Sequence, residues 1–208
     1  MNRIVTIDVT TGATHEYAYD NHLDVTNKNY NSSEILAVND HQFLVLERDG
    51  KGLGDTAGSK AVIKQVYEID LTGAQDVSGL SGEAALLAKA VTKTQFLDLR
   101  AALHAFGLGD TQIPAKLEGM AFGQDITVNG VLKHTLYVAN DNDFVAGTAG
   151  PNNFYVFAVG DSDLPNFQAQ ELAPVPLPAA LVMFGPAFAG LAALARRRKI
   201  TPMNTAAC

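Results

Sequence analysis

The chain has 208 residues, a formal net charge of −7 and an isoelectric point near 5.1. That balance excludes nucleic acid as a general partner, because phosphate binding needs clustered cations and the body of the chain has no Lys/Arg stripe. Its one cysteine, Cys208, is the final residue, which excludes an internal disulfide and fails the prenylation pattern.

Strand-forming residues start at Arg3 in "RIVTIDVTTGA" and continue in "THEYAYD". Period-two alternation of Val, Ile, Tyr and Phe marks both as strands. From Glu34, "EILAVNDHQFLVLERD" gives a Glu-led apolar strand, a turn, and a second strand that ends in acid. "QVYEIDLTGA" around Ile69 then repeats the segment around Ile7, and "KTQFLDL" follows it as "THEYAYD" followed the first. Only "GEAALLAKAV" and "LRAALHAFGLG" read as helices, the latter with Asp98 as N-cap and Gly107 as its stop. At Glu118 the Glu-led pair returns as "EGMAFGQDITVNGVLKHTLYVANDND". Phe43–Leu46 then falls on Thr135–Val138 and Asp49 on Asp141, with extra residues at Asn129-Gly130 forming a hairpin tip. "NNFYVFAVGD" around Tyr155 is a looser third copy of the Ile7 segment.

Whole four-stranded units recurring in fixed order are the mark of a β-propeller. The expected fold is therefore mainly β: an incomplete β-propeller of roughly two and a half four-stranded blades, against about four to eight in a closed ring. The chain would enter at the third strand of one blade, complete a blade over residues 34–99, and supply three strands of another from Glu118. A sandwich or an up-and-down barrel is the structural alternative. An open arc leaves strand edges unpaired, so the missing blades, and an export leader that Met1 lacks, are expected to precede this segment in a longer protein.

The tail is a different material. Leu177 to Ala195 carries no charged or polar side chain, and Arg196, Arg197, Arg198 and Lys199 follow at once. Such a stretch matches the roughly 30 Å hydrocarbon core, and a basic flank marks the cytoplasmic side. The expected division is a partial propeller over 1–170, a linker over 171–176, one C-terminal transmembrane helix over 177–195, and a basic stop with cytoplasmic tail over 196–208. Val175-Pro176-Leu177-Pro178-Ala179, the apolar span and the Arg-rich stop resemble the VPLPA form of the PEP-CTERM sorting signal of Gram-negative bacteria. The resemblance implies processing by an exosortase in the inner membrane, with the body on the periplasmic or extracellular side. The added "ITPMNTAAC" departs from that pattern.

Chemistry is sparser. No G-x-S-x-G or H-E-x-x-H occurs, the five histidines are scattered, and "DGKGLGD" from Asp49 lacks the context of a phosphate loop and reads as a flexible hairpin connection. Carboxylates are the exception: Glu34, Glu47, Asp49, Glu118, Asp125, Asp141 and Asp143 lie at strand ends. If the repeat superposes Glu34 on Glu118 and Asp49 on Asp141, these acids converge at one channel mouth, where oxygens suit calcium. Arg48 and Asn140 then stand ready for an anion. The competing reading gives these acids turn-stabilising and blade-tying roles.

"EILAVNDHQFLVLERDG", "VYEIDLTGA", "LEGMAFG" and "TLYVANDNDF" resemble the phytase-like family, also described as esterase-like activity of phytase. The resemblance implies an extracytoplasmic propeller that hydrolyses a phosphoester or ester; from the acid cluster and the count of blades, the complete protein is expected to be metal-assisted and this part alone inactive. Its catalytic residues are unknown here. Glu47, Arg48, Asp49, Glu118, Asn140, Asp141 and Asp143 are carried as motif-matching candidates only. A non-enzymatic binding propeller at the cell surface, or a degraded gene product, is the alternative.

Overall fold

A computed structural model describes residues 1–21 and 31–170. The stretch 177–195 expected to span the membrane, the VPLPA residues Val175–Ala179 and the basic residues Arg196–Lys199 lie outside the described residues. Among the described residues no helix is long and apolar enough to cross a membrane.

Three antiparallel sheets follow one another along the chain. β1 (Asn2–Ile7) and β2 (Thr14–Tyr19) pair as a two-stranded sheet. β3 (Asn31–Ala37), β4 (Gln42–Arg48), β5 (Lys64–Asp70) and, after the short helix α1 (Glu83–Leu87), β6 (Lys93–Asp98) form a four-stranded meander in strict chain order. After α2 (Leu99–Ala105), the third sheet takes β7 (Leu117–Phe122), β9 (Val131–Asn140) and β10 (Phe154–Val159), in the order β10-β9-β7. Its fourth member is β8 (Ile126–Val128), which pairs with the start of β9. Asn129 and Gly130 form the β8–β9 tip with φ of 52° and 79°, the left-handed pair that a two-residue hairpin turn demands.

A four-stranded sheet in chain order is thus present, preceded by a two-stranded sheet and followed by a second four-stranded one. Both helical readings hold: the Asp98 carboxylate accepts the Ala101 amide at 2.9 Å, and Gly107 ends the helix at φ 103°. One element, α3 (Ala146–Ala149), has no periodic signal because it is a single turn.

Strand alternation distributes the central sheet's side chains to two neighbours. Leu44, Leu46 and Val66 join Leu117, Met120, Leu136 and Val138 of the third sheet in the main core, where α2 adds Leu99 and Leu103. The opposite face sends Val45 and Ile69 against Tyr19, with Phe43, Ile4 and Tyr17 around them. Residues 1–169 pack as one unit. The middle sheet is therefore covered on both faces, one sheet to each side.

Among the described residues the outer sheets each bury one face and leave apolar side chains of the other exposed. On β10, Phe154 is 73% exposed and Val156 51%; on β1, Val5 and Ile7 are 53% and 62% exposed. Just after β10 the chain turns away, burying Leu164 and stacking Phe167 on Phe122 and His134.

Candidate functional site

The "LERD" end of β4 is the polar centre of the molecule. A strand sends neighbouring side chains to opposite faces, so Glu47 and Arg48 serve different sheets. Glu47 points toward β2: it accepts the Tyr19 hydroxyl and, at 2.9 Å, the Lys93 ammonium. Lys93 also lies 4.6 Å from the Tyr67 ring centroid and 5.3 Å from that of Tyr19, so both aromatic faces take part with the Glu47 carboxylate in stabilising its charge. Glu47 is 0% exposed, and burial pushes its carboxyl above the usual range against the pull of Tyr19 and Lys93. Burial likewise raises the Tyr19 phenol, which faces the Glu47 charge. The second Glu47 oxygen, Oε2, and the amide oxygen of its ladder partner Gln65 are both buried with no hydrogen-bond partner.

Arg48 points the other way. Its guanidinium donates to Glu118, to the Leu117 carbonyl at 3.2 Å and to the Asp49 carbonyl at 3.4 Å. The arginine expected to contact an anion is thus already held by the carboxylate that leads β7, and the pair ties the second sheet to the third.

Asp49 is buried and saturated. Its Oδ2 takes the amides of Val62 and Ile63 at 2.8 and 3.1 Å, and Oδ1 accepts Lys64 Nζ at 2.8 Å. Asp141, by contrast, is exposed and accepts the Asp143 amide at 2.9 Å. The residue that mirrors Asp49 is Asn140: each gives its own amide to the carbonyl of the residue just before the next strand and accepts that residue's amide on its side chain. Asp143, with φ 51°, is paired with Lys116 and lifts that ammonium's pKa. Asp125 meets His134 at 2.9 Å, and the same imidazole meets Asp161 at 3.1 Å.

The registers correct the proposed superposition of the glutamates. Glu34 lies opposite Leu46, whereas Val138, which falls on Leu46 in the repeat, faces Met120. Glu118 therefore sits two residues earlier in its strand than a match to Glu34 requires, in the bulge between Leu117 and Gly119. Glu34 is also in mid-strand and accepts only its neighbour's amide, from Ile35. A bulge in each first strand, at different places, breaks a match that sequence spacing alone supports.

The acids consequently fail to converge. Among the described residues no three His, Cys, Asp or Glu side chains come together as a metal-binding group. The donor set does not fit calcium: Glu47, Asp49, Glu118 and Asp143 each spend oxygens on a cation of the chain itself.

The residue that sequence reading missed is Lys64. It is 0% exposed, and its ammonium meets Asp49 twice and the Lys51 and Ala115 carbonyls. Burial lowers its pKa while Asp49 opposes the shift. A lysine at the first position of an apolar strand was the available signal, since such a charge must find partners or neutralise. Nor is the glycine-rich connection loose. Leu53 bridges to the residues before β7, giving its amide to the Ile113 carbonyl at 2.9 Å and taking the Ala115 amide at 2.8 Å. Gly52, at φ 120°, leaves no room there: a Cβ would stand 2.2 Å from the Ile113 carbonyl oxygen.

No curated protein and no solved structure matches the chain. The family described as phytase-like, esterase-like activity of phytase, matches residues 1–144, from the first strand through "NDNDF". That match spans more than half of the sequence and includes all the polar ties at the "LERD" end of β4, so the chain belongs to the phytase-like family.

Proposed function

We propose that the three sheets are consecutive blades of a β-propeller that hydrolyses a phosphoester or ester, and that catalysis needs more blades than the described residues contain. One observation carries the reading: a complete sheet sealed on both faces, with the sheets on either side of it presenting apolar outer faces at Val5, Ile7, Phe154 and Val156. Further blades would cover those faces by the same packing. Family membership supports the hydrolytic class. The acids described above act in this reading as ties between blades, and the reacting groups come from elsewhere in the ring.

The tail fits an exported, surface-directed protein. Val175–Ala179 and Arg196–Lys199 flank an uncharged stretch of membrane-spanning length, the arrangement of an exosortase-processed anchor. In this proposal the blades lie outside the inner membrane.

The test compares the 208-residue chain with a version extended to a full ring. Hydrolysis of phytate, p-nitrophenyl phosphate and p-nitrophenyl acetate is followed with and without calcium. Turnover by the extended form alone supports the proposal. Equal turnover by the short chain refutes the need for further blades, and inactivity of both moves the protein to the class of binding propellers.

A further inference from the structure

Lys64 occupies a cage made of oxygen. The contacts to its Nζ are Asp49 Oδ1 at 2.8 Å, the Ala115 carbonyl at 2.9 Å, and the Asp49 and Lys51 carbonyls at 3.0 Å. Three segments build it: the end of β4, the glycine-rich connection after it, and the stretch that enters β7. The connection is clamped to that stretch independently of the lysine, by the Leu53 bridge and by the contact at Gly52. Among the described residues no side chain other than Lys64 donates to Asp49 Oδ1; the backbone amide of Lys51 reaches it at a long 3.3 Å. The cage is thus a preformed set of acceptors that converge on one buried point.

We propose that this cage is a monovalent-cation site, which the chain fills with its own ammonium group. The charge balance selects the class. One carboxylate and three neutral carbonyls are matched by a single positive charge, and Arg48 lies near enough to add positive potential. A divalent ion would leave a net positive charge buried. The distances agree, since calcium draws six to eight oxygens to about 2.3–2.6 Å, while these contacts are 2.8–3.0 Å. Potassium coordinates oxygens, and ammonium donates hydrogen bonds to them, at such separations. Lys64 therefore does what a bound ion does in other proteins: it neutralises a buried acid and orders three carbonyl-bearing segments around one centre, without depending on ion supply.

The test is to remove the tethered ion and offer a free one. Lys64→Ala opens the cage, while Lys64→Met fills the same space without charge. Thermal unfolding and refolding yield after dilution from urea are read in potassium, ammonium, choline and calcium chlorides at matched ionic strength. Lys64→Ala is expected to melt well below wild type in choline, and to regain several degrees, saturably, in potassium or ammonium. Calcium should give no larger rise, and wild type and Lys64→Met should show no difference between potassium and choline. Adding Asp49→Asn to Lys64→Ala should abolish the potassium response. Refolding yield answers even for a variant unfolded in choline: recovery in potassium supports the site. Failure to respond in every salt overturns it, as does an equal potassium response from Lys64→Met.

Discussion

Glu47 is the most informative side chain to perturb, because its charge and its hydrogen-bonding capacity pull in opposite directions. Alanine there would strip the acceptor from Tyr19 and remove the Glu47 carboxylate from beside the Lys93 ammonium and its two aromatic rings. Breaking a buried pair by deleting one partner costs roughly 3–5 kcal/mol. Lys93 keeps 16% exposure and its ring contacts, which places the expected loss at the low end, about 3 kcal/mol. Glutamine is a different perturbation. Its oxygen still accepts from Tyr19 or Lys93, and its amide group can donate to the Gln65 oxygen, which is buried and unpartnered directly across the β4–β5 ladder. Opposed residues stand about 4.5–5.5 Å apart at Cβ, within reach of such a bond. Two orphaned acceptors become one hydrogen bond, so Glu47→Gln should stay within about 1 kcal/mol of wild type at neutral pH.

The pH dependence follows from the same geometry. Burial raises the folded-state pKa of Glu47 above its unfolded value. Its contribution is then fully present below the unfolded value, near 4.3, and is lost as pH rises through the folded pKa. Wild type should therefore gain on Glu47→Gln as pH falls from 7 toward that value. The chain has no tryptophan, so urea unfolding followed by far-ultraviolet circular dichroism is the assay. A glutamine variant as damaged as the alanine one at neutral pH, or a gap that closes on acidification, would refute the reasoning.

Four further outcomes are expected from the same unfolding measurements. A double-mutant cycle on Arg48→Met and Glu118→Gln should give a coupling of about 1.5–3 kcal/mol, as for a charge-assisted bond between sheets; a value near zero would mean the sheets are held by apolar contact alone. Gly52→Ala should cost at least about 2 kcal/mol, through its positive φ and the clash with the Ile113 carbonyl. By contrast Gly130→Ala, open at its Cβ position, should cost only about 1 kcal/mol. Asp98→Ala removes the α2 cap from the Ala101 amide and should lose about 1 kcal/mol, with helix content at high temperature as an independent check.

The local signals in the sequence were sufficient for the strands, for α1 and α2, and for their order, but not for the single turn of α3. Alternating Val, Ile, Tyr and Phe marked each strand from Arg3 to Val159, Asn129-Gly130 marked a hairpin by its left-handed requirement, and Asp98 and Gly107 bounded a helix. Recurrence of "ID-T" and of the Glu-led pair set the four-strand unit, because strands that share neighbours share patterns. What spacing could not carry was register. Bulges at Ser32/Glu34 and at Leu117/Gly119 shift each first strand differently against its partner, so acids that align in sequence stand at unequal ladder positions. Partnership was equally out of reach: that Glu47 serves Lys93 while its neighbour Arg48 serves Glu118 depends on which sheet lies over each face. Lys64 is the clearest case, since its oxygens come from residues 49, 51 and 115, and only folding brings that last carbonyl to the other two. Strand identity is a property of nearest neighbours along the chain. The fate of a buried charge is decided by groups far away in it, and so by tertiary structure alone.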